Sequence, residues 1–230
     1  MAATQMIDYD EMATLLGGRR FSITDATELA QLIQQGLRHF YAAHDWSFLY
    51  KTATLAVTAD EADTDLPSDF SQLTDAFSYE PDEYRSSPVQ VESHTIREYR
   101  AAHDYTNAPC YFAITTDPFD DEVGERWKVM WYPRPEEDYT LYYRYRAVPT
   151  IPGTGEVMRG DPRFSLAQLY CVYAAAESNL DIHDGQYAAM RDQALATAIE
   201  QDSARFAGTV IGCLAESQHQ EEIIHSTWTE

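Results

Sequence analysis

The chain is poor in lysine and in bases generally. Of its 230 residues only Lys51 and Lys128 are lysines, and 16 basic side chains face 38 acids, a formal charge of −22. A surface built to grip phosphates needs the opposite sign, so this balance excludes a protein that holds nucleic acid by its backbone. Between residues 52 and 84 there are nine acids and no Lys or Arg. Two readings of that acidity stay open: a hydrated, self-repelling surface suited to a salty medium, or a wall that faces DNA without adhering to it. Cysteine is also scarce. Cys110, Cys171 and Cys213 are far apart and form no CxxC pair, which excludes a disulfide framework or a zinc knuckle and makes them small core residues. No apolar run is long enough for a bilayer, and "MAATQMIDYDEMATLL" has acids where a signal peptide places bases. The expectation is a soluble intracellular chain with no membrane partner.

Catalytic signatures are missing too. "PGTGEV" has two glycines but no GK[ST] and no helix opening after it, and no GxSxG occurs. His44-Asp45, His103-Asp104 and His183-Asp184 are chemically suited to a divalent metal, yet each falls at a helix end or in a turn without a further ligand at helical spacing. The acids of "DDEVGE" lack the periodicity of a calcium loop. The expectation is no catalytic residue, no metal and no cofactor.

What the chain does have is a change of period, from helical to alternating and back. Residues 6–16 form a short helical pattern closed by Gly17-Gly18. "SITDATELAQLIQQGLRHFYAAHDW" predicts a helix over residues 25–44, with Thr24 as N-cap and Leu29, Leu32, Ile33, Leu37, Phe40 and Tyr41 along one stripe. From Phe48 to Val148 the segments "FLYKTATLAVTA", "DAFSYE", "PVQV", "CYFAIT", "RWKVMWY" and "YTLYYRYR" read as strands of a small antiparallel sheet unit, with "HTIREYRAAH" a helical insertion. Within it, "WKVMWYPRPEEDYTLYYRYRAVP" reads as a hairpin around a Pro-Glu-Glu-Asp corner. Helical period then returns. Asp161 caps and Pro162 opens a helix with Leu166, Leu169, Tyr170, Tyr173 and Ala174 as its stripe, and a second helix covers about residues 186–207.

The predicted fold class is α+β: an antiparallel helical bundle of two N-terminal and two C-terminal helices (residues 1–47 and 160–207), an inserted antiparallel β-module (48–159), and an extended C-terminal tail (208–230). On the last helix Asp192, Glu200 and Asp202 are read as solvated acids opposite the Leu195/Ile199 stripe. In the tail, Ile223, Ile224 and Trp228 have no helical or strand period, which suits anchors for a partner's pocket.

The order of these pieces resembles the phage head-to-tail adaptor proteins, the tail tubular protein A-like connector or gateway family. The likeness rests on "DWSFLYKTATLAV" after a long helix, then "DLPSDFSQL", "APCYFAI", the "WKVMWYPRPEEDYTLYYRYRAVP" segment and "PRFSLAQLYCVYAAAESN", spanning roughly residues 24–206 in the expected order. The resemblance implies a structural ring subunit, twelvefold in such adaptors, that sits beneath the portal protein and joins capsid to tail. A downstream tail or neck protein would be its other partner, DNA would pass without specific binding, and the virion head-tail junction would be its place, reached from the host cytoplasm. Under it, Asp192, Glu200 and Asp202 would line the channel, Ile223, Ile224 and Trp228 would bind the portal, and Tyr132, Tyr139, Tyr142, Tyr143 and Tyr145 would supply contact area between neighbours. Packing of those tyrosines on one sheet face is the competing reading. An acidic protein-binding module and a metal-dependent hydrolase stay as the other functional classes.

Overall fold

The computed structural model describes residues 6–18, 21–80, 85–117, 126–180 and 185–204. Among these residues it is mixed α+β, with five α-helices and two small sheets, and it divides into a unit drawn from residues 1–48 and 151–230 and a continuous unit of residues 49–150.

The helical unit holds Tyr9–Leu16 (α1) and Ala26–Ala42 (α2) from the start of the chain. Asp8 caps α1, its carboxylate accepting the Glu11 amide at 2.6 Å, so α1 starts later than residue 6. Asp25, not Thr24, caps α2: its carboxylate accepts the amides of Thr27 at 2.7 Å and Glu28 at 3.1 Å. Those backbone bonds, Glu28 first, hold the Asp25 carboxyl below its usual range. The residues bridging back to α1 come from beyond the β unit. The Tyr9 amide donates to Glu156 O at 3.1 Å and the Met158 amide to Ile7 O at 3.2 Å, which groups residues 151–159 with the helices.

Two helices from the end of the chain complete this unit. Pro162–Phe164 makes a 3-10 turn capped by Asp161 and leads into Ser165–Asn179 (α4); helical residues 186–204 form α5. The buried side of α4 is Ala167, Gln168, Cys171, Val172, Ala174, Ala175, Ala176 and Glu177, whereas Leu166 of the predicted stripe is 55% exposed. That stripe is corrected by packing: α4 turns its small residues inward because α2 meets it backbone to backbone. A Cβ added to Gly36 of α2 would sit 2.4 Å from the Val172 Cα. Beyond that crossing, Phe40, Trp46, Phe48 and Phe164 form an aromatic node, with Phe40 and Trp46 stacked at 4.3 Å between centroids and the Trp46 indole N–H donating to Phe40 O at 2.9 Å.

The β unit contains Tyr50–Val57 (β1), Asp63–Asp65 (β2), Phe70–Ser78 (β3), Val89–Gln90 (β4), Ser93–Ala102 (α3), Tyr111–Thr116 (β5), Trp127–Tyr132 (β6) and Tyr139–Ala147 (β7). They make two sheets, ordered β1-β7-β3 and β2-β6-β5-β4. β4 runs parallel to β5, so the unit is not wholly antiparallel. The expected hairpin is also corrected: β6 and β7 lie in different sheets. Pro133 and Pro135 have no amide to extend a ladder, and the corner bonds elsewhere. Arg134 N donates to Tyr105 O at 3.1 Å, Asp60 N to Pro135 O at 2.9 Å, and Ala59 N to the Asp138 carboxylate at 2.8 Å. β7 is flanked instead by β1 in an unbroken eight-residue register and by β3 through a register with shifts.

The two sheets enclose one core. Leu55, Val57, Phe70, Phe77, Tyr139, Leu141, Tyr143 and Tyr145 meet Phe112, Val129 and Trp131 across it. Phe77 is central, with centroids 4.9 Å from Phe112 and 5.3 Å from Trp131 in edge-on contacts. On the far side of the second sheet α3 buries Ile96 against Ala113 and Met130. Arg100 of α3 is fixed there by Ala62 O at 2.7 Å, Trp131 O at 2.9 Å and the Asp63 carboxylate at 3.0 Å.

Candidate functional site

The five tyrosines assigned to subunit contact separate by their place on the strand. β7 alternates, so Tyr139, Tyr143 and Tyr145 point into the core and are buried, while Tyr142 points outward and is 38% exposed. Burial pushes the phenols of Tyr139 and Tyr143 up to about 12, and that of Tyr145 up as well. Tyr139 receives a hydrogen bond from Arg85 at 2.7 Å, and Tyr145 donates to the Asp69 carboxylate at 2.9 Å beside Lys51. These three are internal packing and hydrogen-bonding groups of their own sheet. Tyr142 donates to Glu80 at 3.3 Å, and Tyr132, half-buried, donates to His103 O at 2.9 Å within a cluster with Tyr99 and Tyr105. Of the five, Tyr132 and Tyr142 keep surface for a neighbour.

The three acids assigned to the channel separate in the same way. Asp192 is exposed and paired with Arg191, and Glu200 is exposed. Asp202 is fully buried, which corrects the reading of it as solvated: its carboxylate accepts the Ser47 amide at 2.8 Å and the Ser47 hydroxyl, and His44 Nε2 lies 3.5 Å away. It belongs to the interior of the helical unit, tying α5 to the end of α2's connecting segment. Ile223, Ile224 and Trp228 lie outside the described residues, as do Cys213 and the His183-Asp184 pair.

The two described His-Asp pairs take part in local contacts. His44 faces Asp202 as above, His103 closes α3 with its amide on Tyr99 O, and Asp104 accepts from Arg134 at 3.0 Å. Among the described residues no group of three or more His, Cys, Asp or Glu side chains is gathered to hold a metal ion, and no helix is long and apolar enough to cross a membrane. Cys171 is a small core residue, its thiol pushed up to about 12 by burial, whereas Cys110 is exposed and corrects the expectation that all three are buried.

What the structure does bring together is surface on the helical unit. One groove of about 410 Å3 runs between α4 and α5, lined by Leu166, Ala167, Tyr170, Met190, Ala194 and Thr197 among others. A second, of about 700 Å3, lies between α1 and the start of α4, with Ile7, Leu166 and Leu169 as its apolar part and Asp8, Asp10 and Glu11 along it. Leu166 stands between the two grooves. The signal for this face was present in the sequence: "SLAQLYCVYAAA" is apolar all round, and a helix of that kind wants partners on more than one side. A buried acid also escaped sequence reading. Glu177 accepts the Tyr187 amide at 3.1 Å and the Ala188 amide at 3.4 Å, capping α5 from a neighbouring helix because Gly185 has no side chain to do so.

The family described as SU10 adaptor protein matches the chain through its sequence model over residues 1–212. No curated protein matches it.

Proposed function

The chain belongs to the SU10 adaptor protein family, phage head-to-tail adaptors, and on that premise we propose that it is a structural subunit of a ring seated beneath the portal, extending the DNA channel and joining capsid to tail. The observation that carries this reading is the family match itself, which covers residues 1–212 of the 230.

In this reading the N- and C-terminal helices act as one antiparallel bundle, and twelve copies form the ring. The charge of −22 suits a channel wall over which DNA slides without adhering. Asp192 and Glu200 are the channel-lining acids; Asp202 leaves that set because it is internal. Tyr132 and Tyr142 are the tyrosines that contribute to subunit contact. Ile223, Ile224 and Trp228 bind the portal, Trp being favoured in such pockets for its large rigid ring. The work is positional, with no reaction, metal or cofactor.

Acidic copies repel one another, so the free protein is a monomer or a weak oligomer and the ring closes on its portal. Native mass spectrometry of the protein mixed with the portal of the same phage checks this. The expected result is a portal complex carrying twelve copies; a portal that gains no copies at either physiological or high salt overturns the adaptor assignment.

A further inference from the structure

A closed ring of identical subunits needs two different, complementary surfaces on each copy, and the helical unit carries such a pair. The first is the outward face of α2. Gln31, Gln34, Gln35 and Arg38 recur at helical spacing opposite the buried Leu32, Ile33, Leu37 and Phe40, and with His39 they line a shallow recess of about 370 Å3. This stretch has no acid, in a chain where acids outnumber bases by more than two to one. Arg38 is exposed, and among the described residues no carboxylate pairs with it. By contrast, the other helical arginines of this unit that pair do so with their own acids, Arg163 with Asp161 and Arg191 with Asp192.

The second surface is the groove between α1 and α4. Its apolar part is Leu166, Leu169 and Ile7, and its charge is acidic: Asp8, Asp10 and Glu11 against Arg163, which Asp161 already engages. Glu11 is exposed and no cation of its own chain pairs with it among the described residues.

Within one copy the two surfaces are not joined: the Gln31–Arg38 face is exposed, away from the side by which Gly36 meets Val172 of α4, and among the described residues Arg38 pairs with neither Asp10 nor Glu11. A complement on another molecule makes the pairing head-to-tail.

We propose that in the ring the Gln31–Arg38 face of α2 on one copy seats in the α1–α4 groove of the next, with Arg38 against Asp10 and Glu11 and the glutamine stems covering Leu166. This rests on the ring reading above and names its contact. The pairing supplies one of the few cationic groups available to bring acidic copies together, and it orients them.

The test uses full-length protein, the portal and a charge exchange. Arg38→Glu and Glu11→Arg are each expected to leave the thermal transition and the binding of individual copies to the portal unchanged, while complete rings fall by roughly tenfold or more in native mass spectra. Arg38→Glu with Glu11→Arg in the same chain is expected to restore them. Complete rings from both single variants, or no recovery in the double variant, overturn this contact and leave the ring reading standing. Absence of rings from the wild-type chain overturns both.

Discussion

The β unit fills its interior with rings, and the helical unit, beside its own aromatic node, brings small side chains to the crossing of α2 and α4. Phe77, Phe112, Trp131 and Tyr143 pack among one another between two sheets, and three of the four tyrosines of β7 are consumed there. In the helical unit Gly36 lies against Val172 and alanines line the inner side of α4, so the larger Leu166 is turned out beside two grooves. Close backbone approach and the outward Leu166 both belong to α4: toward its end the helix is covered on every side, Ala174, Ala175, Ala176 and Glu177 all being buried, while Leu166 near its start is not. The difference teaches that outward apolar side chains arise in both units for different reasons: Leu166 stands out beside the grooves of the helical unit, and Val89 and Val148 stand out from the β unit.

Substitutions that attack each interior test this contrast. The largest expected effect is in the β unit, where Trp131→Ala removes a fully buried indole and its hydrogen bond to Thr64 at 2.9 Å. A loss of about 3–5 kcal/mol in chemical denaturation is expected, and the loss should be confined to stability. Next is Gly36→Ala. Its new methyl meets backbone, not a movable side-chain tip, so α2 and α4 must separate at a cost of about 1–3 kcal/mol or more. A neutral result there would show that the close crossing is not what sets the packing of α4.

Asp202→Ala comes third. It leaves the part-buried Ser47 amide without its acceptor, and a loss of about 1–3 kcal/mol is expected by thermal denaturation. Asp192→Asn and Tyr142→Ala, both at exposed positions, should each change stability by no more than about 0.5 kcal/mol. A large effect for either would reverse the division between internal and outward residues.

The smallest effect concerns pH. Burial raises the Asp69 carboxyl, but the bonds from Lys51 and Tyr145 outweigh it and hold the group below the usual aspartate range. A depressed carboxylate contributes stability above its unfolded value, and that contribution is lost as pH falls through the folded one. The gap in melting temperature between wild type and Asp69→Asn is therefore expected to be positive at pH 7 and to shrink below about pH 4. A gap that widens on acidification would contradict the sign.

The helices and most strands were legible because their signals are local: Asp161 as a cap, Gly17 after α1, and the alternation of β7. Strand partners were not. Alternation on both sides of a Pro-rich corner looks the same whether the arms pair with each other or leave for separate sheets, and the choice is made by distant β1, β3 and β5. The site residues show the same limit. Asp202 follows Ala198 by one helical turn and so lies on the buried stripe, but its charge argued for water, and only the Ser47 backbone explains its place. Tyr139, Tyr143 and Tyr145 share one face by period alone, yet nothing local says that the opposite sheet covers that face. The same kind of rule puts Leu166 on the buried stripe, because small residues elsewhere on α4 give no warning of how near α2 comes.

The central claim is that this chain completes a ring on the portal, with its last described helix turned to the channel. A reconstruction of the protein–portal complex tests it directly. The expected density is a closed ring coaxial with the portal, in which the α5 face carrying Asp192 and Glu200 borders the central opening; copies bound off the axis, or that face packed on the outer wall of a ring, would contradict it.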